Sequence, residues 1–144
     1  MPLVAYSLRM LKGVLDEINK DPDRTGKVLC LSYPDIIADT AVVREIFKLE
    51  GRLKSRPDGP ASTNWHKAHH ITKGVVDTEW LFRRLGFQMT SVDIVEGRGG
   101  EVIYDLNTGM PDEFKEQFDL VYDCVSNQVF NIGDCVIGAA RSVR

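Results

Sequence analysis

Residues 27–33 read Lys27-Val28-Leu29-Cys30-Leu31-Ser32-Tyr33, a short continuous apolar run. A run without polar alternation is the pattern of a strand covered on both faces, as in parallel sheets. Pro34 ends it. Asp35 can then cap a helix marked by Thr40, Val42, Val43, Ile46, Phe47 and Leu49. Strand followed by helix opens an α/β unit.

Upstream, Leu3, Val4, Leu8, Leu11, Val14, Leu15 and Ile18 recur at three and four, with Arg9, Lys12, Asp16 and Glu17 off the stripe. This predicts an N-terminal amphipathic helix within residues 1–21, stopped by Asp21-Pro22-Asp23-Arg24-Thr25-Gly26. Downstream, Pro57, Gly59 and Pro60 among few apolar residues make 51–74 an exposed, mobile loop. Val75, Val76, Trp80, Leu81 and Leu85 mark the next helical face, with Gly86 where a left-handed cap is usual. Three apolar runs follow, Phe87–Val95, Glu101–Tyr104 and Phe118–Tyr122, all read as strands.

The link Glu96-Gly97-Arg98-Gly99-Gly100 is too short for an ordinary parallel crossover. Either the first two strands are not parallel neighbours, or the second is a short extension. Pro111-Asp112-Glu113-Phe114 suits the first turn of a short helix, and Gly133 to Val143 reads as a last helix through Val136, Ile137, Ala140 and Val143.

The chain has 144 residues, 43% of them hydrophobic and 27% charged, which suits one folded α/β domain over 1–144. Its net charge of −3 lacks the positive field that phosphate backbones select, which argues against nucleic acid as a partner. No apolar run approaches the ~20 residues of a membrane span, and Arg9 and Lys12 break the layout of a signal peptide. A cytoplasmic protein with no membrane partner is expected. Cys30, Cys124 and Cys135 form no CxxC pair and read as small buried hydrophobes.

Strand, helix, strand, short strand, strand, with acids at the strand ends, is the order of an open, doubly wound sheet. Leu85-Gly86-Phe87, Ser91-Val92-Asp93-Ile94, Val102-Ile103-Tyr104-Asp105-Leu106-Asn107, Pro111, Phe118-Asp119-Leu120-Val121-Tyr122-Asp123 and Ser126-Asn127-Gln128-Val129-Phe130-Asn131 together resemble the middle of class I S-adenosylmethionine-dependent methyltransferases. The resemblance covers roughly residues 27 to 144. It implies a Rossmann-like fold, a mostly parallel open sheet with flanking helices, and methyl transfer from S-adenosylmethionine to an unknown acceptor. Asp93 would accept from the ribose hydroxyls, Ile94 would lie against adenine, and Asp105 would accept from the adenine amino group beside the Leu106 backbone. Asp123 would face the methionine end or the substrate. Ser32, Tyr33 and Asp35 stand where the family carries a Gly-rich loop, and here there is no glycine.

Against the family pattern the sheet is C-terminally shortened, which suggests a fragment or a homo-oligomer that completes its sheet with another copy. A non-catalytic Rossmann-like binding or assembly module is the alternative function, and an enzyme with another nucleotide-like cofactor is a third. No catalytic base stands out. The weaker motifs have plain readings: His66, His69 and His70 as surface residues rather than metal ligands, Gly97-Arg98-Gly99-Gly100 as a turn, and Lys48, Arg52, Lys54 and Arg56 as a solvated basic face. Trp80, Phe82 and Phe87 read as core.

Overall fold

A computed structural model describes residues 3–55, 75–96, 100–124 and 130–144. Its elements are α1 (Ala5–Ile18), β1 (Lys27–Leu31), α2 (Thr40–Phe47), α3 (Thr78–Arg84), β2 (Gln88–Asp93), β3 (Val102–Ile103), β4 (Leu120–Asp123) and α4 (Ile132–Ser142). They fall into two compact units. One comprises Asp23–Tyr33 and Phe82–Arg144; the other comprises the described residues from Leu3 to Pro22 together with Pro34–Leu81.

The first unit is built on a four-stranded sheet, all parallel, in the order β3-β2-β1-β4. With its helices it is an α/β arrangement. Val28, Leu29, Cys30 and Leu31 of β1 are all buried, so the continuous apolar run is covered on both faces as its composition requires. β1 pairs with β2 from Lys27↔Gln88 to Leu31↔Val92, and with β4 from Val28↔Leu120 to Leu31↔Asp123. On one face Leu29, Leu31, Val92, Leu106, Phe118 and Cys135 form a buried cluster. Phe82 and Phe87 are buried as expected; Trp80 is only half-buried. Gly86 has φ +87, the left-handed conformation assigned to it.

β2 and β3 are adjacent and parallel despite the short link, through Val92↔Val102 and Asp93↔Ile103. A crossover normally needs length because the chain must return along a whole strand. Here it returns only to the last two positions of β2, so β3 is the short extension. Residues 97–99 of the link, within the Gly97–Gly100 run expected to be a turn, lie outside the described residues.

The last helix exists but buries a different face from the one its apolar spacing predicts. Cys135 and Ser142 are buried, with Ala139 packed against the cluster, whereas Val136 is 51% and Ile137 is 50% exposed. Gly138 lies where a side chain would collide, since a Cβ there would come 2.6 Å from Met110 Cβ. The segment Asp112–Phe114 is a single 3₁₀ turn, and the Phe114 ring meets Phe118 edge-on at 5.5 Å.

In the second unit α1 buries Leu8, Leu11 and Leu15, while Val14 is exposed. Leu3 leaves the helical stripe to form a parallel bridge with Ile36, both side chains fully buried. That bridge holds 36 extended, so α2 starts later than Asp35 would have set it, and Asp39 occupies the N-cap position. The first part of the expected loop is tied down. Leu53 is buried, Ser55 bridges antiparallel to Val76, and Lys54 Nζ lies 3.5 Å from Asp77. Residues 56–74, with Arg56, Pro57, His66, His69 and His70, lie outside the described residues.

At the amino end of the sheet Asp119 accepts from Thr25 N (3.1 Å), Thr25 Oγ1 (3.0 Å), Gly26 N (2.6 Å) and Arg144 Nε (2.8 Å). Burial works to raise its pKa, but the bonds from Thr25 and Gly26, with Arg144, outweigh it and hold the carboxyl below its ordinary value. A depressed carboxyl stabilises the fold above its unfolded pKa and loses that contribution as pH falls through the folded one. Asp119→Asn should therefore cost about 1.5–3 kcal/mol in urea melts at pH 7. The gap from the parent should narrow on acidification below about pH 4.

Gly138→Ala should destabilise the fold in thermal melts, although alanine in an open helix gains about 1 kcal/mol over glycine. The reason is the contact with Met110: an added Cβ would meet its Cβ at 2.6 Å and its backbone N at 3.2 Å.

Candidate functional site

The chain lays down β1, moves to one side for β2 and β3, and then crosses back to add β4 on the other side of β1. Connections that leave in opposite directions open a crevice outside the carboxyl ends of the strands, the usual ligand position in open α/β sheets. The residues ending or following these strands are Ser32 and Tyr33 after β1, Asp93 and Ile94 at β2, Asp105 and Leu106 after β3, and Asp123 at β4.

Ser32 and Asp93 meet directly. Ser32 N–H donates to Val92 O at 2.7 Å, which carries the β1–β2 ladder one residue past the strand. The backbone then turns left-handed at Ser32, with φ +66. That turn swings Ser32 Oγ to 2.7 Å from Asp93 Oδ2, while Asp93 Oδ1 accepts from Ile94 N–H at 2.8 Å. A carboxylate offers about four acceptor positions, so two remain on Asp93. Serine here makes a turn that glycine makes without strain.

Asp105 caps a 3₁₀ turn, Leu106–Thr108: its Oδ1 accepts from Asn107 N at 2.9 Å and Asn107 Nδ2 at 2.8 Å. Asn107 Oδ1 in turn accepts from Phe130 N at 2.7 Å and Asn131 N at 3.3 Å, and Asn131 caps α4 through Asp134 N. The Leu106 side chain goes into the core, leaving only its backbone for the site. Ile94, by contrast, is 60% exposed. The tract 125–129, with Ser126, Asn127, Gln128 and Val129, lies outside the described residues.

Asp123 is exposed at the end of β4, next to two groups it affects. Burial first, then Cys124, Cys30 and Asp123, push the Tyr122 hydroxyl up to about 12, so it stays protonated at neutral pH. Burial, and after it Asp123, raises the Cys135 thiol; burial and Cys124 raise Cys30 well above its ordinary value. All three cysteines are buried thiols. Neither Cys30 nor Cys135 is a thiolate nucleophile near pH 7.

The remaining sequence candidates fall elsewhere. Asp35 belongs to the other unit, where its carbonyl accepts from Leu3 N–H at 2.8 Å. Among the described residues no three His, Cys, Asp or Glu side chains gather to hold a metal, and no helix is long and apolar enough to cross a membrane. Sequence reasoning missed the Ser32–Asp93 bond and the link from Asn107 to the start of α4. The Asp105-Leu106-Asn107 spacing was the available signal for the second, since Asp and Asn two apart favour a local turn. Compared with known protein families, curated proteins and solved structures, the chain finds no match.

The Ser32 conformation gives a direct comparison of backbone and side chain. Ser32→Ala removes the bond to Asp93 and keeps the left-handed strain; Ser32→Gly removes both. Ser32→Gly should be more stable than Ser32→Ala by about 1 kcal/mol in urea melts. Equal stabilities would show that the backbone at 32 relaxes.

Proposed function

We propose that the chain is an S-adenosylmethionine-dependent methyltransferase whose cofactor lies outside the carboxyl ends of the strands in the first unit. The observation that carries this reading is the all-parallel order β3-β2-β1-β4, with Asp93, Asp105 and Asp123 at or just beyond the strand ends. A nucleoside needs acceptors for its ribose hydroxyls and an apolar surface for its base. Asp93 keeps two acceptor positions after serving Ser32 and Ile94, and the exposed Ile94 side chain stands next to it. Asp105 would accept from the adenine amino group beside the Leu106 backbone. When bound, the cofactor supplies an electrophilic methyl group on sulfonium. A nitrogen or oxygen acceptor that is already nucleophilic then needs orientation rather than a strong base.

A second reading, a non-catalytic Rossmann-like module, has one observation behind it. The turn after β1 is made by a serine whose hydroxyl already holds Asp93, instead of by glycines that let a ligand come close.

Calorimetry of the chain with S-adenosylmethionine and S-adenosylhomocysteine tests both. Saturable binding of each is expected. Asp93→Ala should weaken it by about 1.5–3 kcal/mol, the value of a lost charge-assisted bond, with the circular dichroism spectrum unchanged. Unaltered affinity in that variant would remove Asp93 from the site. Absence of binding heat with either compound would overturn the methyltransferase reading in favour of the non-catalytic module.

A further inference from the structure

Helix α4 and the segment that follows the Asp105 turn enclose a groove that the nucleotide reading does not use. Asp134, Ile137, Gly138 and Arg141 recur at three and four, so they share one face of α4. By helical spacing that face is turned away from Val136, Ala139 and Val143, and so from the bridge Phe118↔Val143 by which the chain leaves the helix. Met110 and Pro111 run opposite it. Together they line a cavity of about 220 Å³.

Backbone contacts hold its walls. Gly138 admits Met110 so closely that a Cβ at 138 would lie 2.6 Å from the Met110 Cβ. Farther along, Glu116 N–H donates to Arg141 O at 2.9 Å and Gln117 N–H to Ser142 O at 3.1 Å, which ties the 112–117 turn to the end of α4. A groove fixed in this way is formed in advance of binding, which lowers the ordering cost of a ligand. Its floor is apolar, with Pro111 buried and Ile137 half open to the groove. Its ends carry opposite charge. Lys115 is matched by Asp112, with Nζ 2.6 Å from Oδ1. The Arg141 guanidinium has no hydrogen-bond or ion-pair partner among the described residues. Two turns back, about 10 Å along the axis, Asp134 accepts from Asn131 Nδ2 at 2.5 Å on Oδ2 and keeps its other oxygen for the groove.

We propose that this groove binds a small organic monocarboxylate, its carboxylate on Arg141, its apolar body along Ile137, Met110 and Pro111, and its uncharged far end toward Asp134. A guanidinium grips a planar carboxylate through two parallel bonds, and Arg141 has both to offer. The volume is below the ~300 Å³ at which sites for drug-sized ligands begin, so the ligand is compact. A phosphate monoester fits less well. With Lys115 matched by Asp112, a single cation would face a dianion, and Asp134 repels the added charge. None of Asp93, Ile94, Asp105 and Asp123 lines the groove, so this site is separate from the proposed cofactor site.

The test is a titration of the nitrogen-labelled chain with phenylacetate, followed through its amide magnetic-resonance signals. Saturable shifts at Gly109, Met110 and Gly138 are expected by about 10 mM, the range that a ligand of this size reaches. Phenylacetamide has the same shape without the charge and should bind roughly tenfold or more weakly. Phenylacetate should lose roughly as much affinity for Arg141→Gln. In the fold Arg141 is engaged through its backbone alone, so this variant should keep the circular dichroism spectrum of the parent. Absence of saturation, equal binding of the amide, or unchanged affinity in Arg141→Gln would overturn the proposal. So would inorganic phosphate that competes as well as phenylacetate, because the apolar floor would then contribute nothing. None of these readouts uses S-adenosylmethionine, so failure here and failure of the methyltransferase reading are separable.

Discussion

β1 is hydrogen-bonded along both edges and buried on both faces, and the sheet is assembled from it outward. A strand in that position must satisfy its backbone through neighbours on each side and fill its faces with apolar side chains. Lys27-Val28-Leu29-Cys30-Leu31 meets both demands in five residues. Because β2 and β4 pair with opposite edges of β1, the chain reverses its progression there, and the carboxyl ends of the strands share one side. In open α/β sheets such a reversal is where a crevice for ligands usually opens.

Two carboxylates hold the opposite ends of this sheet by different means. Asp119, at the amino end, is saturated with donors from Thr25, Gly26 and Arg144, and its work is structural. Asp93, at the carboxyl end, accepts from Ser32 on one oxygen and from the backbone of Ile94 on the other, which fills two of the about four acceptor positions of a carboxylate. Both are aspartates beside a short loop, and nothing local in their sequence separates them. What separates them is the direction of the strands, which decides whether the neighbours are the start of β1 or the turn that leaves it.

The order of elements was legible in the sequence because each segment advertises its own period: three and four in α1, an unbroken run in β1, and a left-handed glycine at 86 after α3. Less legible were the places where a distant partner overrode local pattern. Leu3 sits on the helical stripe by spacing but pairs with Ile36, and that pairing delays α2 past Asp35. Val136 and Ile137 have the spacing of a buried face, yet α4 turns Cys135, Ala139 and Ser142 inward, since a close approach to Met110 is open only at a glycine. The face that the apolar spacing of α4 marks is left exposed by the described sheet.

By itself, the sequence determined an α/β chain with a buried central strand, acids at the strand ends, and three cysteines as buried hydrophobes, because strand length, periodicity and turn chemistry act within a few residues. Only tertiary structure decided that β3 is a parallel neighbour of β2, that Ser32 reaches Asp93, and that Leu106 gives its side chain to the core while Ile94 keeps its own in the open. Those outcomes depend on register and on the hand of a single left-handed turn, contacts between residues 61 apart in the case of Ser32 and Asp93. No local window of sequence contains such a pair.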